Sequence, residues 1–198
     1  MVKKFFIFLI VLILFLFSFD NVLASWNSRQ NTVHEIAELA RSIGLSEDDP
    51  IIVRAKEIWW EDYYISHYPI NQNEVEAIAK TIWGEAGSIN SKMEQAAVVW
   101  CILNRVDSEK FGNTIMSVIT APNQFLGYNV NFPVKPELEE LARDVLIRWY
   151  REKNGEVEVG RILPKDYFWF WGDGYHNHFQ NQYNSLVRWD WSLPNPYN

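Results

Sequence analysis

The feature that most constrains this chain is a run of eight apolar residues, Ala96 to Leu103 (AAVVWCIL). Ser91-x-x-Glu94 stands just before it, a capping-box pattern that starts a helix. The spacing therefore predicts a helix from there to about Val106. A helix apolar on nearly every side has no face to give to water, so it must be central and covered by other elements. The rest of the chain has to supply that cover.

It does so mostly with helices. Asn71-x-x-Glu74 is a second capping-box pattern. It predicts a helix to about Trp83 with Val75, Ile78, Ala79 and Ile82 turned inward. Asn113 reads as the cap of a short helix through Ile119, and Ala121 to Phe125 as loop. Pro136 opens another helix, with acids in its first turn and Arg151 and Lys153 before Gly155, which suits the helix dipole at both ends. Beyond Gly155 the character changes. The stretch DYFWFWGDGYHNHF is aromatic and β-prone, and Gly172-Asp173-Gly174 breaks it, which predicts a hairpin or a strand-loop-strand. The expected class is α+β, mainly α, with a small β element near the C-terminus.

Ahead of this lie two different stretches. Lys3 and Lys4 precede 13 apolar residues, Phe5 to Phe17, and Val22-Leu23-Ala24 follows. That is the pattern of a secretory signal peptide, residues 1–24; the apolar run is shorter than the ~20 residues of a spanning helix. Residues 25–70 read as a helical annex: a helix over Val33 to Ile43 ended by Gly44, then one opened by Asp49-Pro50 and running to about Tyr64. The turn-rich HYPINQN places the main domain at 71–198.

Formal charge narrows the function. The chain carries −7, and removing Lys3, Lys4 and Asp20 with the signal takes it to about −8. Such a protein lacks the cations to replace phosphate counterions, so nucleic acid is not the expected partner. Cys101 is the single cysteine, so no internal disulfide forms. Its apolar neighbours make it a core residue rather than a nucleophile. Ten Trp and nine Tyr fit both an aromatic core and a site where rings stack on sugars.

Few residues are candidates for chemistry. Glu85 sits between Gly84 and Ala86-Gly87, just past the expected helix end. Glycine there lets backbone or ligand approach closely. Apolar neighbours would desolvate the carboxyl, and a desolvated carboxyl keeps its proton to higher pH, as a general acid must. A helix-end Glu facing water is the plainer reading. Glu94 is most simply the capping-box partner of Ser91, with a second acid in a cleft as the alternative. Arg105 suits the C-terminal end of its helix, and Asn104 could orient a substrate or a loop through its amide. His176-x-His178 supplies two possible ligands where a zinc site needs three or four, so no metal or other cofactor is expected. Tyr175 and His176 fit better as polar and aromatic groups beside a sugar.

These residues fall in an ordered set of motifs. Trp83-Gly84-Glu85-Ala86, Ile102-Leu103-Asn104-Arg105-Val106, Phe111-Gly112-Asn113, Val118-Ile119 and Gln124-Phe125 follow one another over roughly 73–128. Together they resemble the spore-cortex-lytic, SleB-type cell wall hydrolases, and LPKDYFWFWGDGYHNHF resembles that family's closing segment more loosely. The resemblance implies a lysozyme-like domain that cuts peptidoglycan glycan strands as a lytic transglycosylase. It carries the essential acid over to Glu85; Trp83, Asn104, Gln124, Phe125, Tyr175 and His176 are the substrate-binding candidates beside it. The signal pattern makes the expected enzyme an exported one, and a monomer is expected. Many members have Gly-Glu four residues after the catalytic Glu, where this chain has Ile89, so a second acid does not carry over. Two other readings remain at this point: a hydrolytic muramidase using Glu94 or Asp173, and a non-catalytic glycan-binding protein.

Overall fold

The computed structural model describes residues 38–42, 44–46, 48–50, 52–54 and 67–197. The expected signal segment 1–24, His34 and the aromatic pairs Trp59-Trp60 and Tyr63-Tyr64 lie outside them. The chain divides into two compact units, Met1–Pro69 and Ile70–Asn198. Within the first, residues 38–42 and 52–54 are helical. Gly44 has φ +83°, the left-handed turn that lets glycine end a helix. The Asp49 carbonyl accepts from the Val53 N–H, as at a helix start.

The second unit is built on four helices and a hairpin: α1 (Gln72–Ala86), α2 (Lys92–Val106), α3 (Ile115–Ile119), α4 (Pro136–Lys153), β1 (Trp169–Gly172) and β2 (Asn177–Gln180). The all-apolar run lies in α2, where every residue from Ala96 to Leu103 is 0 % exposed. Helices α1, α3 and α4 all pack on it. The stripe Val75, Ile78, Ala79 and Ile82 of α1 is buried, as is Leu138, Leu141, Ala142, Val145, Leu146 and Trp149 of α4. The mainly helical class with a small C-terminal sheet is therefore the observed one.

The ends differ in detail. Helix α1 runs to Ala86, so Glu85 lies in its last turn and not beyond its end. Helix α3 is capped by Thr114, one residue later than Asn113, through a reciprocal box with Ser117. The Asn71 side chain accepts from the Asn73 N–H rather than sharing a box with Glu74. Ser91 accepts from the Glu94 N–H, but Glu94 does not reach back. Its side chain is committed elsewhere, as described below.

After α4, Gly155 turns the chain at φ +95°. Strands β1 and β2 pair antiparallel, Trp169 opposite Gln180 and Gly172 opposite Asn177. Their inner pair, Phe170 and Phe179, faces the core with ring centroids 5.3 Å apart. The tail returns over the same core: the Trp189 indole donates to the Ile162 carbonyl and Trp191 meets Phe179 edge-on.

Candidate active site

A helix buried on all sides must satisfy its polar side chains internally. Apart from the Trp100 indole N–H, which is buried without a hydrogen-bond partner, the strongly polar side chains of α2 that reach other segments sit towards its two ends, and both ends grip the hairpin segment. At the N-terminal end Glu94 is 7 % exposed. One carboxylate oxygen accepts from the Asn177 N–H at 2.9 Å, and the other meets His176 Nδ1 at 3.0 Å. That attraction raises the His176 imidazole above its ordinary value, first through the hydrogen bond and then through the charge. The capping-box expectation for Glu94 is thus corrected. A buried carboxylate goes where it finds charge-assisted donors, and the hairpin tip supplies them.

At the C-terminal end Asn104 is 2 % exposed. Its amide donates to the Pro164 and Tyr167 carbonyls, and its oxygen accepts from Arg161. Of the two roles open to it, the loop is what it holds; a substrate contact is not supported, because the amide is spent. Arg105, 3 % exposed, donates through Nε to the Phe168 carbonyl at 2.7 Å and through an Nη to Gln124 Oε1 at 2.6 Å. Cys101 adds a 3.2 Å contact from its thiol to the same Phe168 carbonyl. Burial pushes that thiol up to about 11, which leaves it inert.

Glu85 is half-buried. Its Oε1 accepts from the Gly127 N–H at 2.7 Å. Two glycines make this contact possible. A Cβ on Gly84 would lie 1.8 Å from the Gly127 oxygen, and one on Gly127 would lie 2.5 Å from the Gly84 carbonyl carbon. The loop therefore touches α1 backbone to backbone, and the Gly84 flank read from the sequence has its physical reason. Desolvation raises the Glu85 carboxyl, while the Gly127 hydrogen bond and the Arg105 charge pull it back in part; the net direction is up. The partial negative charge at the end of α1 works in the same direction as desolvation. On the other side, the Asn177 side chain donates to the Glu85 carbonyl at 3.2 Å. Asn177 so joins the backbone of one acid to the carboxylate of the other.

The remaining candidates divide. Phe125 is 4 % exposed and packs 6.0 Å from Phe170, so it is core rather than an open sugar platform. Trp83 is 37 % exposed with Lys135 Nζ 4.9 Å over its ring. It precedes Glu85 by two positions, and residues two apart on a helix do not share a face. Tyr175 is 81 % exposed at the hairpin turn. Asp173, in that turn, accepts from the Tyr175 and His176 N–H groups and pairs with His178 Nε2 at 2.7 Å. These contacts, the His178 one foremost, hold its carboxyl far below the usual range. The two histidines thus serve different acids. Among the described residues no group of three or more His, Cys, Asp or Glu is placed to hold a metal ion. A cavity of about 360 Å³ lies apart from all of this, beside Lys92, Asp144, Arg148 and Tyr197.

Sequence reasoning did not find Gly127 or Asn177. Each gives a backbone N–H to one acid. What makes the residue type matter, the close approach of Gly84 to Gly127 and the Asn177 amide on the Glu85 carbonyl, lies far away along the chain.

The site thus holds one half-buried, raised carboxyl, Glu85, at a single backbone donor, Gly127. Residues 90–188, half of the chain, match the family model for cell wall hydrolases; the chain belongs to the cell wall hydrolase family and is in broad terms a peptidoglycan-degrading enzyme. The matched stretch holds α2, the Gln124–Gly127 loop and the hairpin, and it begins after Glu85. No curated protein and no solved structure matches the chain.

Proposed function

We propose that this chain is an exported lytic transglycosylase, cutting peptidoglycan between N-acetylmuramic acid and N-acetylglucosamine with Glu85 as its single acid and base. The observation that carries the reading is the half-buried Glu85 carboxyl, raised by desolvation and held by one backbone donor. Such a carboxyl holds its proton to higher pH than an ordinary glutamate does. Glu85 protonates the glycosidic oxygen, and the C1–O bond of the muramic residue breaks. The C6 hydroxyl of that same sugar closes on C1, and its proton goes to the Glu85 carboxylate. The acid is regenerated, the product is a 1,6-anhydro ring, and no water is activated. The Gly127 N–H supports the carboxylate while it exists.

A hydrolase of the usual kind needs a second carboxylate to act as base or nucleophile. The two residues available for that are occupied: Glu94 by Asn177 and His176, and Asp173 by its own turn and His178. That favours one acid over two. Export rests on the pattern of residues 1–24.

Mass spectrometry of the muropeptides released from purified wall decides the chemistry. Anhydro ends are expected. Reducing ends would sink the transglycosylase reading in favour of the hydrolytic muramidase. Glu85→Gln, which keeps the shape and removes the acid, is expected to release nothing. Binding to wall with no fragments from the unaltered protein would point to a glycan-binding protein instead.

A further inference from the structure

We infer that Arg105 is a positioning residue for Glu85: from the end of α2 it holds both the Gln124–Gly127 loop, which carries the donor to the acid, and the start of β1. This rests on the reading of Glu85 as the acid.

Arg105 is nearly fully buried, and among the described residues no carboxylate forms an ion pair with it. A buried cation costs stability unless its surroundings compensate it. A basic residue placed only to suit the helix dipole would do so at less cost in water. Here the guanidinium is enclosed by Phe111, Phe125 and Trp169, with its carbon 5.1, 4.8 and 5.1 Å from their ring centroids. Its two used donors point to different segments, Phe168 and Gln124. The planar fork of Arg does this; the single ammonium of Lys does not.

The path to Glu85 is short. Gln124 ends one tight turn, in which its N–H meets the Ala121 carbonyl, and Phe125 opens the next, closed by the Tyr128 N–H on the Phe125 carbonyl. Gly127 lies inside that second turn. Whatever fixes Gln124 and the Phe125 ring therefore fixes where the Gly127 N–H points. Asn123, at φ +60°, turns the chain into this arrangement. The Arg105 charge also favours the carboxylate that Glu85 becomes once its proton has left.

The test compares Arg105→Lys, Gln124→Met, the double variant and Glu85→Gln on purified peptidoglycan, with melting curves run beside the kinetics. Arg105→Lys and Gln124→Met are each expected to lower kcat roughly tenfold to a hundredfold, the scale of a small misplacement at a reacting group. KM should stay within about threefold, because the contact acts on the acid and not on the glycan. The double variant should lose little more than the worse single, since both break one linkage. Arg105→Lys, which loosens the Gly127 donor but keeps the charge, should move the alkaline limb of the kcat profile to higher pH, and Arg105→Met, which removes the charge as well, should move it further. Wild-type kcat in Arg105→Lys and Gln124→Met at a temperature where both are folded would overturn the inference, as would losses that simply multiply. If Arg105→Lys does not fold, Gln124→Met decides alone. Cleavage by Glu85→Gln at the wild-type rate would overturn the acid reading and this inference together. Loss in Glu85→Gln with no change in the Arg105 and Gln124 variants would overturn this inference only.

Discussion

Gly84→Ala probes the site with the smallest change available. The new Cβ would fall 1.8 Å from the Gly127 oxygen, where ordinary contact begins at 3.4 Å. The loop must retreat by about 1.6 Å, since the Cβ stands on a helix and both opposing atoms are backbone. That carries the 2.7 Å bond from Gly127 to Glu85 out of hydrogen-bonding range. A bond to a charged group is worth about 1.5–3 kcal/mol. If it is felt only as the carboxylate forms, the rate falls roughly tenfold to a hundredfold. Stability should fall as well, because the atoms the Cβ meets are all backbone and such overpacking costs about 1–3 kcal/mol, of which the roughly 1 kcal/mol preference of a helix interior for Ala over Gly offsets only part. Rates are therefore compared at a temperature where both proteins are folded. The sign of the pH effect follows. The Gly127 bond lowers the Glu85 carboxyl, so losing it raises that carboxyl further and moves the alkaline limb of activity upward. The assay is the initial rate of wall-fragment release across pH, with thermal melts as control. A variant that melts like the wild type and cleaves at its rate, with an unmoved profile, would refute the role given to this contact.

Other outcomes follow from the same geometry. Glu85→Gln should stabilise the protein at neutral pH. The folded carboxyl is raised by desolvation, so its contribution is fully present below the unfolded value and lost as pH rises through the folded one; melts at pH 4 and pH 8 should show the gain only at the higher pH. His176→Gln should flatten stability on the alkaline side. Glu94 raises that imidazole, so the pair contributes below the ordinary histidine value and is lost as pH rises through the raised one, which melts of both proteins across that interval would read. Leu103→Ala empties a 0 % exposed site in the central helix and should cost about 2–5 kcal/mol in denaturant unfolding, a cost that a surface position would not show.

Much of this was legible beforehand. Periodicity and end signals located all four helices of the second unit, because an amphipathic stripe and a cap are local properties. The Gly172-Asp173-Gly174 break marked the hairpin for the same reason. What local reading mistook were the partners. Glu94 looked like a cap because Ser91 stands three residues before it. Asn104 could face a ligand or a loop, and only the 164–167 segment, some 60 residues on, settled it. Phe125 was a loop residue and a substrate-binding candidate, and the structure packs it against Arg105 and Phe170.

The sequence by itself determined that α2 would be the centre, since eight apolar residues in a row leave a helix no solvent face. It also singled out Glu85, because a carboxyl among glycines and apolar residues is rare enough to notice. The tertiary structure alone decided what surrounds that carboxyl. The Gly127 donor comes from 42 residues away and the Asn177 tie from 92. Such contacts need particular residues, glycine at 84 and 127 and the Asn177 amide, but only the crossing of distant segments shows what those residues meet.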